Sequence, residues 1–483
     1  MMVTWSGLVG WGIVISVIGT PSDTRDGSPA AAVAGNVWPG FRGDGRSVSL
    51  AQNLPLEWSP QKNIAFRIHL PGYGQSSPVV WQGQVYVTAI EGEQKEKLHI
   101  LAIRLSDGRV VWHKEFSASQ KGRNNPMMSR AASTPVVDER GVYCFFESGD
   151  LIALQHDGKL RWQRSLSQDY GPIKNNHELA SSPAQDARHL FVLVDHSGPS
   201  YLAAIDKATG QTRWKADRSS RTSWTSPVVT RVDGTTVVVV ASGDTVTVYD
   251  AASGKVLTTL ENLVGLNIAS PVATGEWIVL GAGVNRVKPD VAASARSNCL
   301  LRLQHKEGQW SLSQVWPGKK VVSAFASPLI HEGYVYFLSR EGMVHCLNAR
   351  TGEPRYVERL EDEIWATPIA AGDRIYFFGK KGITIVLKSG AEFEKLAVNR
   401  LWTPEEYAAR LAAARKEAEK KFPPPSEKGP PGGPVVPPEE RQAIRYATVG
   451  DVVYAAAAVD GTFLVRTGTE LIVIRQPAGT SPK

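Results

Sequence analysis

The chain contains 483 residues, of which 42% are hydrophobic and 21% are charged, the balance of an ordinary globular protein. Its formal net charge of +7 is small for this length, and no cluster of lysine and arginine predicts a nucleic-acid-binding surface. The three cysteines, Cys144, Cys299 and Cys346, are widely separated, which argues against a disulfide framework or a zinc site. Cys144 and Cys346 lie in strand patterns, which predicts buried free thiols.

Residues 1–34 have the features of a signal peptide or an N-terminal anchor. Residues 5–19 are almost wholly apolar, a length that is short for a membrane span and typical of a signal-peptide core. The small residues at 32–34 resemble a cleavage site, although they lie far downstream. We expect an exported protein, periplasmic or extracellular, with anchoring in the membrane through residues 5–19 as the alternative.

An N-terminal extension, residues 35–62, precedes the first regular pattern. The segment NIAFRIHL at residues 63–70 then has the form of the last strand of a repeat, although no repeat precedes it. We expect it to pair with the end of the chain, because such pairing would remove the exposed sheet edges of an open array.

Seven Ser-Pro or Thr-Pro dipeptides recur along the middle of the chain. Each precedes an apolar strand, a glycine turn and further short strands, and proline is tolerated at the first residue of a strand. A period of 40–57 residues built from such strands predicts a β-propeller of four-stranded antiparallel blades, in which each dipeptide opens the innermost strand. The prolines are Pro78, Pro135, Pro183, Pro227, Pro271, Pro328 and Pro368.

A turn motif recurs near the end of five repeats, as in AAIDKATGQTRW at residues 203–214. Its glycine supplies the positive φ that the turn needs, and its aspartate or threonine can cap the turn backbone. A large aromatic residue follows at a fixed phase. We predict that these residues are structural anchors that pack neighbouring blades together; they are Trp112, Trp162, Trp214 and Tyr356.

Residues 402–447 look like an insertion after the seventh repeat. Thr403 and Glu406 match a helix capping box, and Pro404 suits the first helical position. The helix should extend to about Phe422, and residues 423–438 are rich in proline and are expected to be disordered or polyproline-like. The insertion is either a surface decoration or a docking helix for a partner protein. The predicted apolar stripe contains Tyr407, Leu411, Ala414, Ala418 and Phe422.

An eighth unit is predicted at residues 455–475, with Ala455 and Ala456 in place of the Ser-Pro dipeptide. It supplies three strands, so that residues 63–70 would provide the fourth and close an eight-bladed propeller over residues 63–476. Residues 450–454 also resemble the start of a second strand, and that phasing would favour seven blades. Residues 477–483 are expected to form a disordered tail.

The pattern A-x-D-x-x-T-G-x-x-x-W with Ser-Pro-Val strand starts resembles the quinoprotein-type repeat over about residues 38–475. That repeat builds the eight-bladed propellers of pyrroloquinoline quinone (PQQ) dehydrogenases and of the non-catalytic barrel-assembly lipoprotein of bacterial outer membranes. The opening WPGFRGDGRSVSL at residues 38–50 is similar to secreted bacterial PQQ-like repeat proteins. No cysteine follows the apolar N-terminal run, which argues against lipid anchoring of this chain.

The resemblance implies the fold and does not carry over an active site. In PQQ dehydrogenases a calcium ion and the quinone lie in the central funnel below a ring formed by two adjacent cysteines, and an aspartate acts as base. This chain has no adjacent cysteines, no matching calcium set and no other persuasive catalytic motif. We therefore predict no catalytic or metal residues and no cofactor, with PQQ and calcium as the alternative.

A binding site, if present, should lie where the residues before each Ser-Pro dipeptide rim the funnel. We single out Asn176, His177, Trp224, Asn267 and Trp365, the tryptophans because they could stack on a planar ligand or equally plug the channel. The other rim positions are Gln75, Arg130 and Phe325. The favoured function is an exported scaffold that binds a protein or cell-envelope partner. A PQQ-type oxidoreductase and an outer-membrane assembly factor are the alternatives.

Overall fold

The computed structural model of the chain contains eight separate β-sheets of four antiparallel strands each, one of which is extended by a short fifth strand. Apart from that added strand, every sheet that begins at a Ser-Pro or Thr-Pro dipeptide has the strand after the proline at one edge, and its strands follow in chain order. This is the predicted eight-bladed propeller. The structure describes residues 35–124, 128–284, 289–323, 325–421 and 449–477, so the predicted signal segment, the proline-rich stretch and the tail from 478 lie outside it.

The strands of each blade run from the central channel outwards. Blade 1 comprises Val79–Trp81, Gln84–Glu91, Lys97–Arg104 and Val110–Ser117. Blade 2 comprises Val136–Asp138, Gly141–Phe145, Asp150–Leu154 and Leu160–Ser165. Blade 3 comprises Ala184–Gln185, His189–Val194, Ser200–Asp206 and Thr212–Arg218. Blade 4 comprises Val228–Val232, Thr235–Ser242, Thr245–Asp250 and Val256–Leu260. Blade 5 comprises Val272–Thr274, Trp277–Leu280, Cys299–Lys306 and Gln309–Pro317. Blade 6 comprises Leu329–His331, Tyr334–Leu338, Met343–Asn348 and Pro354–Arg359. Blade 7 comprises Ile369–Ala371, Arg374–Phe378, Ile383–Lys388 and Lys395–Arg400. Blade 8 comprises Ala455–Val459, Thr462–Arg466, Glu470–Arg475 and Ile64–His69.

Blade 8 is shared between the two ends of the propeller sequence. The strand Ile64–His69 pairs antiparallel with Glu470–Arg475, with Phe66 opposite Val473 and Ile68 opposite Leu471. The predicted closure is therefore confirmed, and the seven-bladed alternative is wrong. This pairing gives blade 8 its fourth strand and closes the ring. The exposed sheet edges at which an open array could aggregate are thereby removed.

The core lies between the faces of neighbouring blades. The second and third strands are buried along most of their length, as in Thr235–Ser242, whose run of four valines has less than 1% exposure. A strand that is covered on both faces is apolar continuously and does not alternate. The outermost strands are only partly buried, as in Thr212–Arg218, which alternates in exposure and carries four charged residues.

Indole rings connect successive blades near the outer edge. The Nε1 of Trp162 donates to the carbonyl of Lys207 in the next blade at 2.9 Å, and a methyl group at Gly210 would lie 2.7 Å from the ring. Trp112 has the same relation to His156 and Gly158, and Trp214 to Ala251 and Gly254. Each glycine, at positive φ, leaves the space that the ring occupies.

Two departures accompany this pattern. Trp316 makes the same contacts with Ala349 and Gly352, although it was not among the predicted anchors. Tyr356 instead packs edge-to-face on Phe393 of blade 7, with ring centroids 5.5 Å apart.

The helix Pro404–Lys421 follows blade 7, and short helices occur at Leu166–Tyr170 and Val291–Ser297. The N-terminus of the helix Pro404–Lys421 has a reciprocal capping box, because Thr403 N–H donates to Glu406 Oε2 and Glu406 N–H donates to Thr403 Oγ1. Tyr407 packs on Trp402, and Arg410 forms ion pairs with Asp451 and Glu470 of the blade 8 segment. Leu411 and Ala414 of the predicted stripe lie near Gly450 and Ala418 is buried, so this part of the stripe faces the propeller. Phe422 lies outside the described residues. Within the described ranges, no helix is both long and apolar enough to cross a membrane.

Candidate functional site

The wall of the central channel is built from the Ser-Pro and Thr-Pro dipeptides. In blades 1 to 6 the backbone N–H of the serine or threonine donates to the side-chain oxygen of its counterpart in the next blade, as from Ser182 to Ser226 at 2.9 Å. The proline has no backbone N–H, so it cannot make such a bond itself. The innermost strands of neighbouring blades are not paired with one another, and this chain of hydroxyl hydrogen bonds connects them instead. The six bonds join Ser77, Thr134, Ser182, Ser226, Ser270, Ser327 and Thr367 in that order.

The hydroxyl chain is interrupted at blade 8. Ala455 occupies the corresponding position and has no oxygen to accept from Thr367, for whose N–H the described residues supply no acceptor. On the other side of the gap, the hydroxyl of Ser77 donates to the carbonyl of Ala456 at 3.2 Å. Blade 8, which is made from both ends of the propeller sequence, is therefore the blade at which the hydroxyl chain is open.

One end of the channel is closed by residues 38–49 of the N-terminal extension, which we call the plug. The plug begins at blade 1, where Trp38 and Val80 exchange two backbone hydrogen bonds of 2.9 Å. The carbonyl of Pro39 then accepts from the N–H of Val137 in blade 2. No structural role for this segment could be predicted from the sequence, because its contacts are with residues far along the chain.

The plug continues across the channel to blades 7 and 8. The hydroxyl of Ser47 donates to the carbonyl of Pro368 at 2.6 Å, and Val48–Ser49 adds a short parallel strand to the inner edge of blade 7. The hydroxyl of Ser49 donates to Ala458 in blade 8 at 3.0 Å. The plug thus holds together the blades between which the hydroxyl chain is interrupted.

Arg42 lies in the middle of the plug and is only 3% exposed. Its Nη2 donates to the carbonyl of Pro271 at 2.7 Å, and its Nη1 lies 3.5 Å from the carbonyl of Ser270. Burial lowers the pKa of Arg42 to about 9, an effect that the charge of Asp44 partly offsets. The guanidinium is therefore charged at neutral pH.

The plug converts the channel into a cavity of about 170 Å³ with one open end. In the blades that it contacts, the plug bonds to the dipeptide itself or to residues that follow it, whereas the rim residues precede the dipeptide, so the two groups lie toward opposite ends of the inner strands. At the open end the cavity is lined by half-buried Trp224, Phe325 and Trp365 and by Ile268, which is 38% exposed.

Two of the five predicted binding residues, Trp224 and Trp365, line this cavity, and the other three do not. Asn176 and His177 lie exposed on the loop before blade 3, where the His177 ring is 5.8 Å from that of Trp224. Asn267 accepts a hydrogen bond from the N–H of Trp224 through its backbone carbonyl. His177 and Asn267 thus contact the tryptophan at the rim.

Cations lie over the aromatic rings of the rim. The Nζ of Lys380 is 4.4 Å from the ring centroid of Trp365, and the guanidinium of Arg340 is 5.7 Å from that of Phe325. Phe325 and Trp365 are themselves 4.8 Å apart. Such pairs of a cation and an aromatic ring are common in protein interfaces, where arginine and the aromatic residues are enriched.

The predicted rim residue Arg130 belongs to a second basic cluster beside the cavity. Its guanidinium stacks 3.4 Å from the ring centroid of Tyr73, whose hydroxyl is 2.8 Å from that of Tyr454. Arg466 is fully buried next to Tyr73 and donates to the carbonyls of Gly74 and Thr88. Burial lowers the pKa of Arg466 to about 9.

The cavity wall does not match the donor set for a quinone and calcium. Calcium in proteins is bound mainly by carboxylate and carbonyl oxygens, yet no carboxylate occurs among the described residues that line the cavity. Across the described ranges, no three side chains of histidine, cysteine, aspartate or glutamate are grouped as metal ligands. The three cysteines are free and buried, and burial raises the pKa of Cys299 and Cys346 to about 12.

Comparison with known proteins identifies the family. The model of a family described as outer membrane protein assembly factor BamB matches residues 26–198, 198–288 and 300–423. BamB from Alkalilimnicola ehrlichii is 30% identical over 157 residues, which are 32% of this chain and 36% of the relative. BamB from Yersinia pestis is 23% identical over 222 residues, 45% of this chain and 51% of the relative. The chain thus spans about half or less of these relatives.

Solved structures share the fold. BamB from Moraxella catarrhalis aligns with a TM-score of 0.51 at 12% identity, over 85% of this chain and 98% of that one. The quinohemoprotein alcohol dehydrogenase from Comamonas testosteroni aligns with a TM-score of 0.55 at 13% identity, over 95% of this chain and 84% of that one. Since the family model matches well over half of the sequence, this PQQ-like propeller belongs to the family described as outer membrane protein assembly factor BamB.

Proposed function

We propose that this protein is an exported, non-catalytic scaffold that takes part in the assembly of outer-membrane proteins. Family membership supports the process, since the family is described by that role. The closed channel carries the non-catalytic part of the proposal. Arg42 and the rest of the plug occupy the end of the cavity, and the described lining residues include no carboxylate that could act as a base or hold calcium.

The rim of the open end is the face that we assign to a protein partner. It combines half-buried aromatic rings with the cation of Arg340, whereas Lys380 is already paired with Glu363 at 3.3 Å. A partner with an acidic contact group would complement the charge of Arg340, and the rings would supply the buried area that dominates interface energy.

A deletion strain of the source bacterium tests the role in assembly. Loss of the gene should lower the folded fraction of outer-membrane β-barrel proteins, measured by their mobility on semi-native gels, and the full-length gene should restore it. Cell fractionation of the complemented strain should place the protein outside the cytoplasm. A normal folded fraction in the deletion strain, or recovery of the protein in the cytoplasm, would refute the proposal.

Charge reversal tests the assignment of the face. Arg340→Glu should reduce complementation because it repels an acidic partner at the rim. Arg231→Glu is the matched control, since Arg231 is exposed on the hairpin at the other end of the inner strand of blade 4. Equal complementation by the two variants would remove the rim from the proposal while leaving the assembly role to stand on the deletion result.

A further inference from the structure

The open end of the channel, which we call the mouth, presents an accessible apolar surface. Ile268 is 38% exposed there. Trp224, Phe325 and Trp365 are half-buried around the same opening. Most of the other exposed large aliphatic side chains among the described residues lie on the outermost strands of blades, as Val357 does in blade 6. Apolar area that is concentrated at the opening of a cavity is typical of a binding surface.

The mouth is held in shape by contacts among its own residues. The indole Nε1 of Trp224 donates to the backbone carbonyl of Glu178 at 2.9 Å, and its backbone N–H donates to that of Asn267 at 2.7 Å. The rings of Phe325 and Trp365 pack together, with centroids 4.8 Å apart. Because these rings are fixed before a partner arrives, the site loses little conformational entropy on binding.

The size of the cavity limits what can enter it. Its volume is about 170 Å³, whereas drug-sized ligands occupy sites of roughly 300–1,000 Å³. An apolar cavity of about 150 Å³ holds one benzene molecule. The deeper wall carries the hydroxyls of dipeptide serines such as Ser226 and Ser270, which favour water over an apolar group. The mouth can therefore admit one aromatic ring, and it is too small for a segment of backbone.

One cation beside the mouth has no acidic partner. The guanidinium of Arg340 lies over an aromatic ring of the rim, and no carboxylate of the described residues forms an ion pair with it. Glu341, the next residue in the sequence, accepts a hydrogen bond from a neighbouring serine hydroxyl at 2.9 Å. Lys380 is paired with Glu363 at 3.3 Å. Arg340 is therefore the charge at the mouth that a carboxylate of a partner would complement.

We propose that the mouth receives one aromatic side chain from a loop of the protein partner, and that an acidic residue adjacent to it in that loop contacts Arg340. This inference rests on the scaffold function proposed above and names the contact through which the scaffold binds. A large side chain in a pocket near the centre of an interface is typical of the residues that dominate binding energy. The guanidinium orients the loop, because it attracts a carboxylate to one side of the mouth.

Binding of a defined peptide to the full-length protein tests the proposal. The probe is acetyl-Gly-Asp-Phe-Asp-Gly-amide, and binding is followed by tryptophan fluorescence because two tryptophans line the mouth. Replacing the phenylalanine of the probe by alanine should weaken binding about tenfold or more. Replacing both of its aspartates by asparagine should weaken binding about twofold to fivefold, as expected for a solvent-exposed ion pair.

Variants of the protein locate the two contacts. Ile268→Asp places a charge in the apolar mouth and should weaken binding of the probe about tenfold or more. Val357→Asp is the matched control, because Val357 is 46% exposed on an outermost strand, and it should bind the probe normally. Arg340→Gln should bind the aspartate and asparagine probes equally while it keeps the preference for phenylalanine over alanine.

Complementation of the deletion strain separates this inference from the scaffold function. Ile268→Asp should fail to restore the folded fraction of outer-membrane proteins, and Val357→Asp should restore it. If the natural gene and Ile268→Asp restore it equally, the inference is overturned while the scaffold function stands. A deletion strain without a defect would refute the scaffold function, and the probe would still decide whether the mouth binds an aromatic ring.

The peptide measurements decide even if Ile268→Asp does not fold, because the probes are compared on the natural protein. No binding of the probe at millimolar concentration, or equal binding of the phenylalanine and alanine probes, would overturn the proposal. An equal loss of binding in Val357→Asp and Ile268→Asp would also contradict it. Self-association of the natural protein that Ile268→Asp abolishes would assign the mouth to a second copy of this chain instead.

Discussion

The backbone N–H of Ser182 donates to the hydroxyl of Ser226 at 2.9 Å, although 44 residues separate them in the sequence. Both residues are buried at the channel wall, and each immediately precedes the proline that opens an inner strand. The dipeptide that marks the repeat in the sequence is thus also the group that joins each blade to the next.

Ser226→Ala should destabilise the propeller by about 1–3 kcal/mol, because it leaves the buried N–H of Ser182 without an acceptor. Urea denaturation measures the change. Ser313→Ala is the control, since Ser313 is exposed on the outermost strand of blade 5, and it should change the free energy of unfolding by less than about 0.5 kcal/mol. Equal effects of the two substitutions would show that the hydroxyl chain contributes nothing.

Ala455→Ser should stabilise the protein, because it supplies the missing acceptor for the N–H of Thr367. A net gain of about 0.5–1.5 kcal/mol is expected for one intramolecular hydrogen bond. Urea denaturation should show changes of opposite sign in the free energy of unfolding for Ala455→Ser and Ser226→Ala, although both substitutions act on the same kind of hydrogen bond. A decrease in stability would mean that the blade 8 position requires alanine for packing.

Gly210→Ala tests the contact between blades at the outer edge. The added methyl group would lie 2.7 Å from Trp162 at a φ of +74°. We expect a loss of about 2–4 kcal/mol, from overpacking together with the unfavourable backbone conformation.

Gly308→Ala is the matched control for this substitution. Gly308 also has a φ of +74°, but nothing lies within 4 Å of the added methyl group. Gly308→Ala should lower the free energy of unfolding by only about 1–2 kcal/mol, which is the cost of the unfavourable backbone conformation alone. If thermal or urea denaturation gives the same loss for both variants, the indole contact is not a source of stability.

Asp362 makes stability depend on pH. Burial raises its pKa from the ordinary value of 3.8 to about 6. Between these two values the folded protein holds a proton that the unfolded chain has released, so stability should fall as the pH rises through this window. The deficit above the window should approach about 3 kcal/mol.

Asp362→Asn should remove this component. Urea denaturation at several values between about pH 4 and pH 7 should give a flatter profile for the variant than for the natural protein. All other titrating groups are common to both, so their difference isolates Asp362. Parallel profiles, or a natural protein that gains stability relative to the variant as the pH rises, would be inconsistent with a raised pKa.

The fold could be predicted because its signals are periodic and local. Each Ser-Pro dipeptide starts an inner strand, and residues 63–70 could be recognised as a last strand because they match the form of other last strands. Trp316 was missed because its hairpin is longer. The turn glycine, Gly308, lies eight residues before it, whereas Gly210 lies four residues before Trp214.

The site was less accessible to sequence reasoning. Arg42 lies in a segment without repeats, and its partners Ser270 and Pro271 follow it by 228 and 229 residues. No local pattern encodes such a contact. The aromatic rim residues could be located because their phase relative to the dipeptide is fixed, but the plug that gives the cavity its charge could not.

The central structural claim is that the two ends of the propeller sequence share blade 8 in one register. The pair Ile68→Cys and Leu471→Cys tests it most directly, by mass spectrometry of peptides after mild oxidation of the folded protein. Directly opposite residues approach closely enough for a disulfide, whereas diagonal neighbours at about 7–8 Å do not. We predict a cross-link between positions 68 and 471 and none between Ile68→Cys and Val473→Cys. Equal cross-linking of both pairs, or of neither, would contradict this account.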